Sequence, residues 1–314
     1  MMKTFAVRYG TFAASCLLFV VLAIMAPNFL SAGNLTNVVK HITFLAVLAL
    51  GFSIALTTAE LDLSFANVCS VASVSVGWLI HNDYPVVVAV GAGLSVGLAA
   101  GLLNGVLVTT LKIPSLIATL ATASIANGFA FMITQGVAFV GAWNPAFLWI
   151  GRGTIAGVPT LVVWLALLML AALFLLKFTV TGLRMLSVGQ AAEAARLAGI
   201  SVARMKLLGL ALSGLAAGLA AVLMTSNLAS AAPNSAGDFM LMSIAAVLLG
   251  MTMFEPGRPN VPGTLVGALT IGMLGNGLVL LGAQYYMQDI ALGLIMVASV
   301  AASSSFLKRS ALSL

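Results

Sequence analysis

The chain has 314 residues, of which 62% are hydrophobic and only 6% charged. A soluble domain carries about 25% charged residues, so this composition excludes an ordinary soluble globular protein and places the chain in a bilayer, where charge is expensive. The net charge of +6 comes from thirteen basic against seven acidic residues. The basic residues fall between apolar runs, which fits a cytoplasmic excess of Lys and Arg and gives no reason to invoke nucleic acid as a partner.

The apolar runs are continuous and long, without the period-two alternation of membrane β-strands, so the expected class is all-α and polytopic. Ten helices are expected in one transmembrane domain over residues 1–314. Their ranges are Thr11–Met25, His41–Thr58, Ser64–Ile80, Pro85–Thr109, Pro114–Gln135, Thr160–Leu176, Leu207–Thr225, Phe239–Gly250, Gly263–Leu281 and Ile290–Ser303. The first follows Lys3 and Arg8 without a firm cleavage site, and reads as an uncleaved span rather than a signal peptide. Phe239–Gly250 and His41–Thr58 are short for a span of about 20 residues and read as broken or re-entrant.

With both termini on the cytoplasmic side, that face receives Lys3, Arg8, Lys112, Lys177, Arg184, Arg196, Arg204, Lys206, Arg258, Lys308 and Arg309. The outer face receives only Lys40 and Arg152, an asymmetry that sets the orientation. The outer loops are then Ala26–Lys40 and Gly136–Pro159. The second holds Trp143 and Trp149, with Trp164 just beyond it, and reads as an interfacial aromatic belt. Val96–Val108 and Val266–Leu280 share a Val-Gly, Gly, Leu and Asn-Gly pattern, and they run in opposite senses, as in weakly inverted repeats.

Cys16 and Cys69 lie in apolar runs and read as packing residues. No P-loop, metalloprotease or nucleophile-elbow motif occurs, so catalysis within the chain has no sequence support. His41 opens a span and reads as a cap or as a snorkelling side chain. Glu60 and Asp62, in AELDLS, are the acidic residues nearest the membrane interior. Asp62 with Ser64 reads first as a cap of the next helix and second as part of a solute path. Asn104, Asn127, Gln135 and Asn276 lie within spans. Their amides both donate and accept, which suits a hydroxyl-rich solute, although helix-to-helix bonding uses the same residue types.

The longest polar passage is Lys177–Lys206, with EAARLAGI at its centre. EAARLAGISVARMK resembles the cytoplasmic coupling segment of ABC importer permeases. Together with Leu61–Ser64 (LDLS) and IAAVLLGMTMFEPGRPNVPGTLVGAL from Ile244 to Leu269, it resembles the ribose/xylose/arabinose/galactoside class, in order along nearly the whole chain. That resemblance implies a type II importer permease in a bacterial cytoplasmic membrane, moving a monosaccharide or similar polar solute by alternating access. The implied partners are a second permease, identical or not, a cytoplasmic ATPase that holds ATP and Mg, and an extracytoplasmic solute-binding protein. The implied coupling residues are Glu193, Ala194, Ala195, Arg196, Ala198 and Gly199, with Ala194, Ala195, Ala198 and Ile200 as the inserted face. An ion-coupled carrier or channel acting without an ATPase is the alternative, and it requires Glu60 or Asp62 deep in the membrane.

The chain departs from the resembled pattern at Ala59 and Glu60, where Gly-Gly is usual, and at Ala66 and Met240. It departs again at Met251, Pro256, Pro259 and Pro262, in a loop that is usually Gly-rich. These departures leave the solute open and point to pairing with a non-identical permease.

Overall fold

The computed structural model describes residues 2–311, with side chains for 9–284 and 286–301. The helices in order are α1 (Met2–Met25), α2 (Ala32–Leu56), α3 (Phe65–His81), α4 (Val86–Thr109), α5 (Ser115–Thr134), α6 (Pro145–Arg152), α7 (Thr160–Phe178), α8 (Val180–Gln190), α9 (Ala192–Leu197), α10 (Val202–Leu228), α11 (Phe239–Gly250), α12 (Val261–Leu280) and α13 (Tyr285–Ala311). Four two-residue strands, β1 (Phe139–Val140), β2 (Thr154–Ile155), β3 (Val158–Pro159) and β4 (Ser230–Ala231), pair antiparallel as β1–β4 and β2–β3.

Among the described residues, α2, α4, α5, α7, α10 and α12 are long and apolar enough to cross a bilayer. Shorter apolar stretches occupy Tyr9–Met25, Phe65–His81, Phe239–Gly250 and Tyr286–Ala301. These ten segments are the ten expected from sequence. Pro85, Pro114 and Pro159 stand immediately before α4, α5 and α7, where a fixed φ and a missing N–H cost nothing.

Four helices start earlier than expected: α1 at Met2, α2 at Ala32, α10 at Val202 and α13 at Tyr285. α2 begins at Ala32, not His41, so it is no short segment, and the first loop shrinks to the turn before it. Asn34, Asn37 and Lys40 had read as loop because they are polar. A helix of 25 residues is longer than an average bilayer core requires, so its first turns can carry them.

The chain forms two compact units. Unit 2, Leu50–Met240, is organised by α10 against α4 and α3. Gly93, Gly97, Gly101 and Gly105 form one stripe of α4 at four-residue spacing. A Cβ at Gly97 would overlap the backbone of Gly214 and Gly218, and one at Gly101 the backbone of Leu210 and Ala211. Lipid tails are as apolar as side chains, so membrane helices gain from such close backbone approach rather than from a hydrophobic drive. Ser73 of α3 and Thr225 of α10 hydrogen-bond at 2.6 Å inside the same contact.

At the far end of α10, α6 is fastened by polar bonds. Ser226 Oγ donates to Phe147 O at 2.6 Å and accepts from Gly151 N at 2.8 Å, and Arg152 Nε donates to Asn227 O at 2.6 Å. Trp143 is buried here beside Phe147, in a cluster with Val76, Ile80, Ala89, Val222 and Ala231. It is a core residue, which corrects the belt expectation for this tryptophan. Trp149 is exposed and Trp164 half-buried.

Unit 1, Met1–Ala49 with Leu241–Leu314, holds α1, the first part of α2, most of α11, α12 and α13. The backbones of Gly250 and Gly263 touch, Gly267 lies against Ala246, and Gly277 admits Leu22 of α1. Thr270 Oγ1 bonds Ser15 Oγ at 2.9 Å, and Thr252 Oγ1 bonds Thr11 Oγ1 at 2.9 Å. Asn260 caps α12 by accepting from Gly263 N at 2.8 Å.

Gly97→Leu is expected to separate α4 from α10 and to cost at least about 3 kcal/mol, because backbone cannot move aside as a side chain can. Gly91→Ala, with open space around it, should leave stability within about 1 kcal/mol of the parent. Thermal unfolding in detergent of the two variants checks the contrast.

Candidate functional site

The turn between α2 and α3, residues 57–64, is short and has no ladder to satisfy its backbone. Its side chains and neighbours do so instead. Thr57 and Thr58 hydroxyls donate to Ile54 O and Ala55 O. Leu61 N donates to Ser115 Oγ at 3.3 Å, and Leu61 O accepts from Thr119 Oγ1 at 3.1 Å. Asp62, fully buried, accepts at Oδ1 from Ser64 N at 2.9 Å and from Ser64 Oγ at 2.6 Å. Asn104 Nδ2 of α4 donates to Ser64 Oγ at 2.8 Å. The Ser213 hydroxyl of α10 faces the same carboxylate without closing a hydrogen bond of good geometry.

Asp62 and Ser64 therefore form a cap, with the carboxylate as the capping group, and Asn104 completes it. Asn104 has no exposed surface. Glu60 pairs with Lys206 of α10 at 2.5 Å, the carboxylate buried and the ammonium partly exposed. Both carboxylates required by the ion-coupled alternative are thus engaged in holding the chain together.

The same turn carries the polar segment. Gly189 of α8 lies so close to Thr57 O that no Cβ fits there. Gly209 of α10 lies against Thr58. The passage Lys177–Lys206 becomes the end of α7, then α8, α9 and the start of α10. Thr179 caps α8 by accepting from Gly182 N at 3.0 Å.

α9 ends on Gly199, whose φ is +80°. Gly199 N bonds Arg196 O and Ile200 N bonds Ala195 O, both at 3.0 Å, the paired bonds of a Schellman turn. Glu193 and Arg196 pair with each other at 2.6 Å on an exposed surface, worth at most about 1 kcal/mol. Ala194 and Ala198 are exposed, but Ala195 is buried against its own chain, so it cannot belong to an inserted face. Leu197, passed over in the sequence, is 86% exposed. A large apolar side chain presented in the middle of a polar segment was the available signal. Beside α9 a groove of about 480 Å³ is lined by Val108, Thr109, Arg196, Ile200, Val202 and Lys206, among others.

The remaining residues expected to line a path are dispersed. Asn127 is half-buried on α5. Gln135 ends α5 in a left-handed conformation, and its Nε2 donates to Met132 O at 2.7 Å, which makes it a local cap. Asn276 lines a cavity of about 360 Å³ in unit 1 with Asn37, Val38, His41, Gly272, Gly275, Val279 and Gln288. Asn37, His41 and Gln288 had not been expected there, because α2 and α13 were each predicted to start later than they do. His41 therefore sits well inside α2 and does not cap it. Among the described residues no cluster of His, Cys, Asp and Glu could hold a metal ion.

The fold and these motifs define the membrane subunit of a transporter. The family described as "Branched-chain amino acid transport system / permease component" matches residues 34–300, and the chain belongs to it. The ribose import permease protein of Bacillus subtilis (strain 168) is 33% identical over 294 residues, covering 93% of this chain and 91% of that protein. The ribose import permease protein of Escherichia coli (strain K12) is 31% identical over 301 residues, with 95% and 94% covered. The L-arabinose transport system permease protein of the same strain is 33% identical over 294 residues, with 93% and 89% covered. A solved inward-facing ABC transporter assigned to the metal-chelate type shares the fold, with a TM-score of 0.52, 12% identity, and 97% and 99% of the two chains covered. The chain is an integral, multi-pass permease of an ABC importer.

Asp62→Ala strands the Ser64 N–H and the Ser64 hydroxyl, which both donate to the carboxylate, and should cost about 2–3 kcal/mol. Asp62→Asn keeps one acceptor oxygen and should cost about half as much. Chemical or thermal denaturation of the two variants gives the comparison.

Proposed function

We propose that this chain forms the membrane path of an ATP-driven monosaccharide importer and that α9 is where a separate ATPase docks. The observation that carries the docking assignment is the build of α9. It is a short helix with Leu197 fully presented, closed by a glycine turn and rooted through Gly189 and Lys206 in the buried turn at residues 57–64. A partner that presses on α9 therefore presses on a rigid body, and the displacement reaches the helices around Asp62. The exposed set Glu193, Ala194, Arg196, Leu197 and Ala198 meets the partner, while Ala195 anchors the helix from behind.

ATP and Mg sit on that partner. The orientation has the termini and Lys177–Lys206 on the cytoplasmic face of a bacterial inner membrane. A binding protein delivers solute on the other side. The full-length similarity to ribose and arabinose permeases supports a monosaccharide as solute over the amino acid in the family's description.

Within this chain open space surrounds Gly199, so a side chain there displaces no neighbour of its own and strains only the backbone. A β-branched residue at φ +80° is strained by about 1–2 kcal/mol, whereas Asn tolerates that region. In proteoliposomes holding the whole importer, Gly199→Val should lower solute moved per ATP hydrolysed severalfold, and Gly199→Asn should restore most of it. Uptake that proceeds without the ATPase would overturn the proposal.

The second permease is a non-identical chain, as the departures at Ala59, Glu60, Ala66 and Met240 favour. Native mass spectrometry of the importer purified on this chain should then show two different permease masses. Two copies of this chain alone would refute that pairing.

A further inference from the structure

We propose that the cavity of unit 1 between α2, α12 and the start of α13 is a binding subsite for a neutral, hydroxyl-rich solute of monosaccharide size. This rests on the importer reading and adds to it a place where the solute is held by this chain.

The cavity measures about 360 Å³, at the small end of the range for small-molecule sites. Its polar groups are three amides, from Asn37, Asn276 and Gln288, and the His41 imidazole, and among the described residues no charged side chain lines it. Amides and imidazole both donate and accept, as hydroxyl groups do. A charged solute would find no counter-charge here. Val38 and Val279 add apolar walls that suit the C–H faces of a sugar ring.

The amides are arranged to leave capacity for a guest. Asn34 and Asn276 bond reciprocally, Asn34 Nδ2 to Asn276 Oδ1 at 3.0 Å and Asn276 Nδ2 to Asn34 Oδ1 at 2.8 Å. Asn34 spends its other N–H on Phe29 O at 2.8 Å. Asn276 is thereby fixed in orientation, with one N–H and one lone pair remaining. The described bond of Gln288 is a weak one, Nε2 to Met242 Sδ at 4.0 Å, so Oε1 and a second N–H are open.

Glycine keeps the space. A Cβ at Gly275 would lie 3.0 Å from Gln288 Nε2, and one at Gly272 would overlap Ile42 of α2. Any side chain at Gly275 therefore displaces Gln288 or fills the cavity. In the orientation set by the basic residues, this end of α2 and α12 faces outward, where a binding protein releases solute.

The test is saturation-transfer NMR on the permease–ATPase complex without binding protein, using D-ribose and, separately, L-leucine as probes. Wild type should transfer saturation to D-ribose and not to L-leucine. Gln288→Ala and Asn37→Ala should each weaken ribose binding on the order of five- to tenfold, the equivalent of one hydrogen bond. Gly275→Leu should abolish it. Asn37→Ala removes an exposed side chain and should unfold at the wild-type temperature, which separates binding from folding. No transfer to ribose in wild type, equal transfer to leucine, or transfer unchanged in all three variants would overturn the subsite. If ATP-driven uptake persists in that case, the importer reading stands and only the subsite falls. Loss of ATP dependence in wild type strikes the importer reading instead.

Discussion

The buried carboxylate of Asp62 is the constraint on which unit 2 depends. The chain must reverse between α2 and α3 in eight residues, and every backbone group in that turn needs a partner. Asp62 supplies two bonds to Ser64, and Ser64 passes the connection to Asn104 of α4. Thr119 and Ser115 of α5 take both backbone groups of Leu61. Lys206 of α10 takes Glu60, and Gly189 of α8 closes on Thr57. One turn thus joins four helices, two of them belonging to the polar segment.

Two of the chain's departures from the resembled pattern, Ala59 and Glu60, fall on this turn and have a physical sense. Ala59 has φ +60°, the left-handed region that glycine occupies freely and alanine only at a cost of about 1 kcal/mol. Next to it, Glu60 provides a carboxylate that Lys206 meets, which a glycine could not. A hydrogen-bonded charge pair is worth about 1.5–3 kcal/mol when partly buried, enough to offset the strained alanine. The two changes together trade backbone freedom for a bond between the turn and the start of α10.

The helices were legible because an apolar run of about 20 residues has no other stable form in a bilayer. What was hidden depended on partners remote in sequence. Asn34 reads as loop until Asn276 is seen to receive it, across 242 positions, and with it goes the true start of α2. Trp143 reads as an interfacial residue until Phe147 and Ala231 are seen to enclose it. Ala195 and Leu197 exchange roles because a helix of two turns has no periodicity long enough to tell its faces apart. The cap at Asp62 and the turn at Gly199 were legible because both are local, set by residues within a few positions of one another.

Asn104 and Asn276 occupy matching places in two similar glycine-rich helices, yet their surroundings give them opposite uses. Each amide reaches toward the beginning of another helix, Asn104 to Ser64 and Asn276 to Asn34. In unit 2 the stripe Gly93–Gly105 draws α10 onto α4 until no surface of Asn104 remains. In unit 1, Gly272 lies against the Ile42 side chain and Gly275 against that of Gln288, and Asn276 keeps part of its bonding capacity beside a cavity. The difference lies in what faces the glycines near each amide: backbone of α10 at Gly97 and Gly101, and the side chains of Ile42 and Gln288 at Gly272 and Gly275. Sequence equivalence within the chain therefore identifies where an amide is placed, and the packing opposite decides how much of its bonding capacity is used up in holding helices.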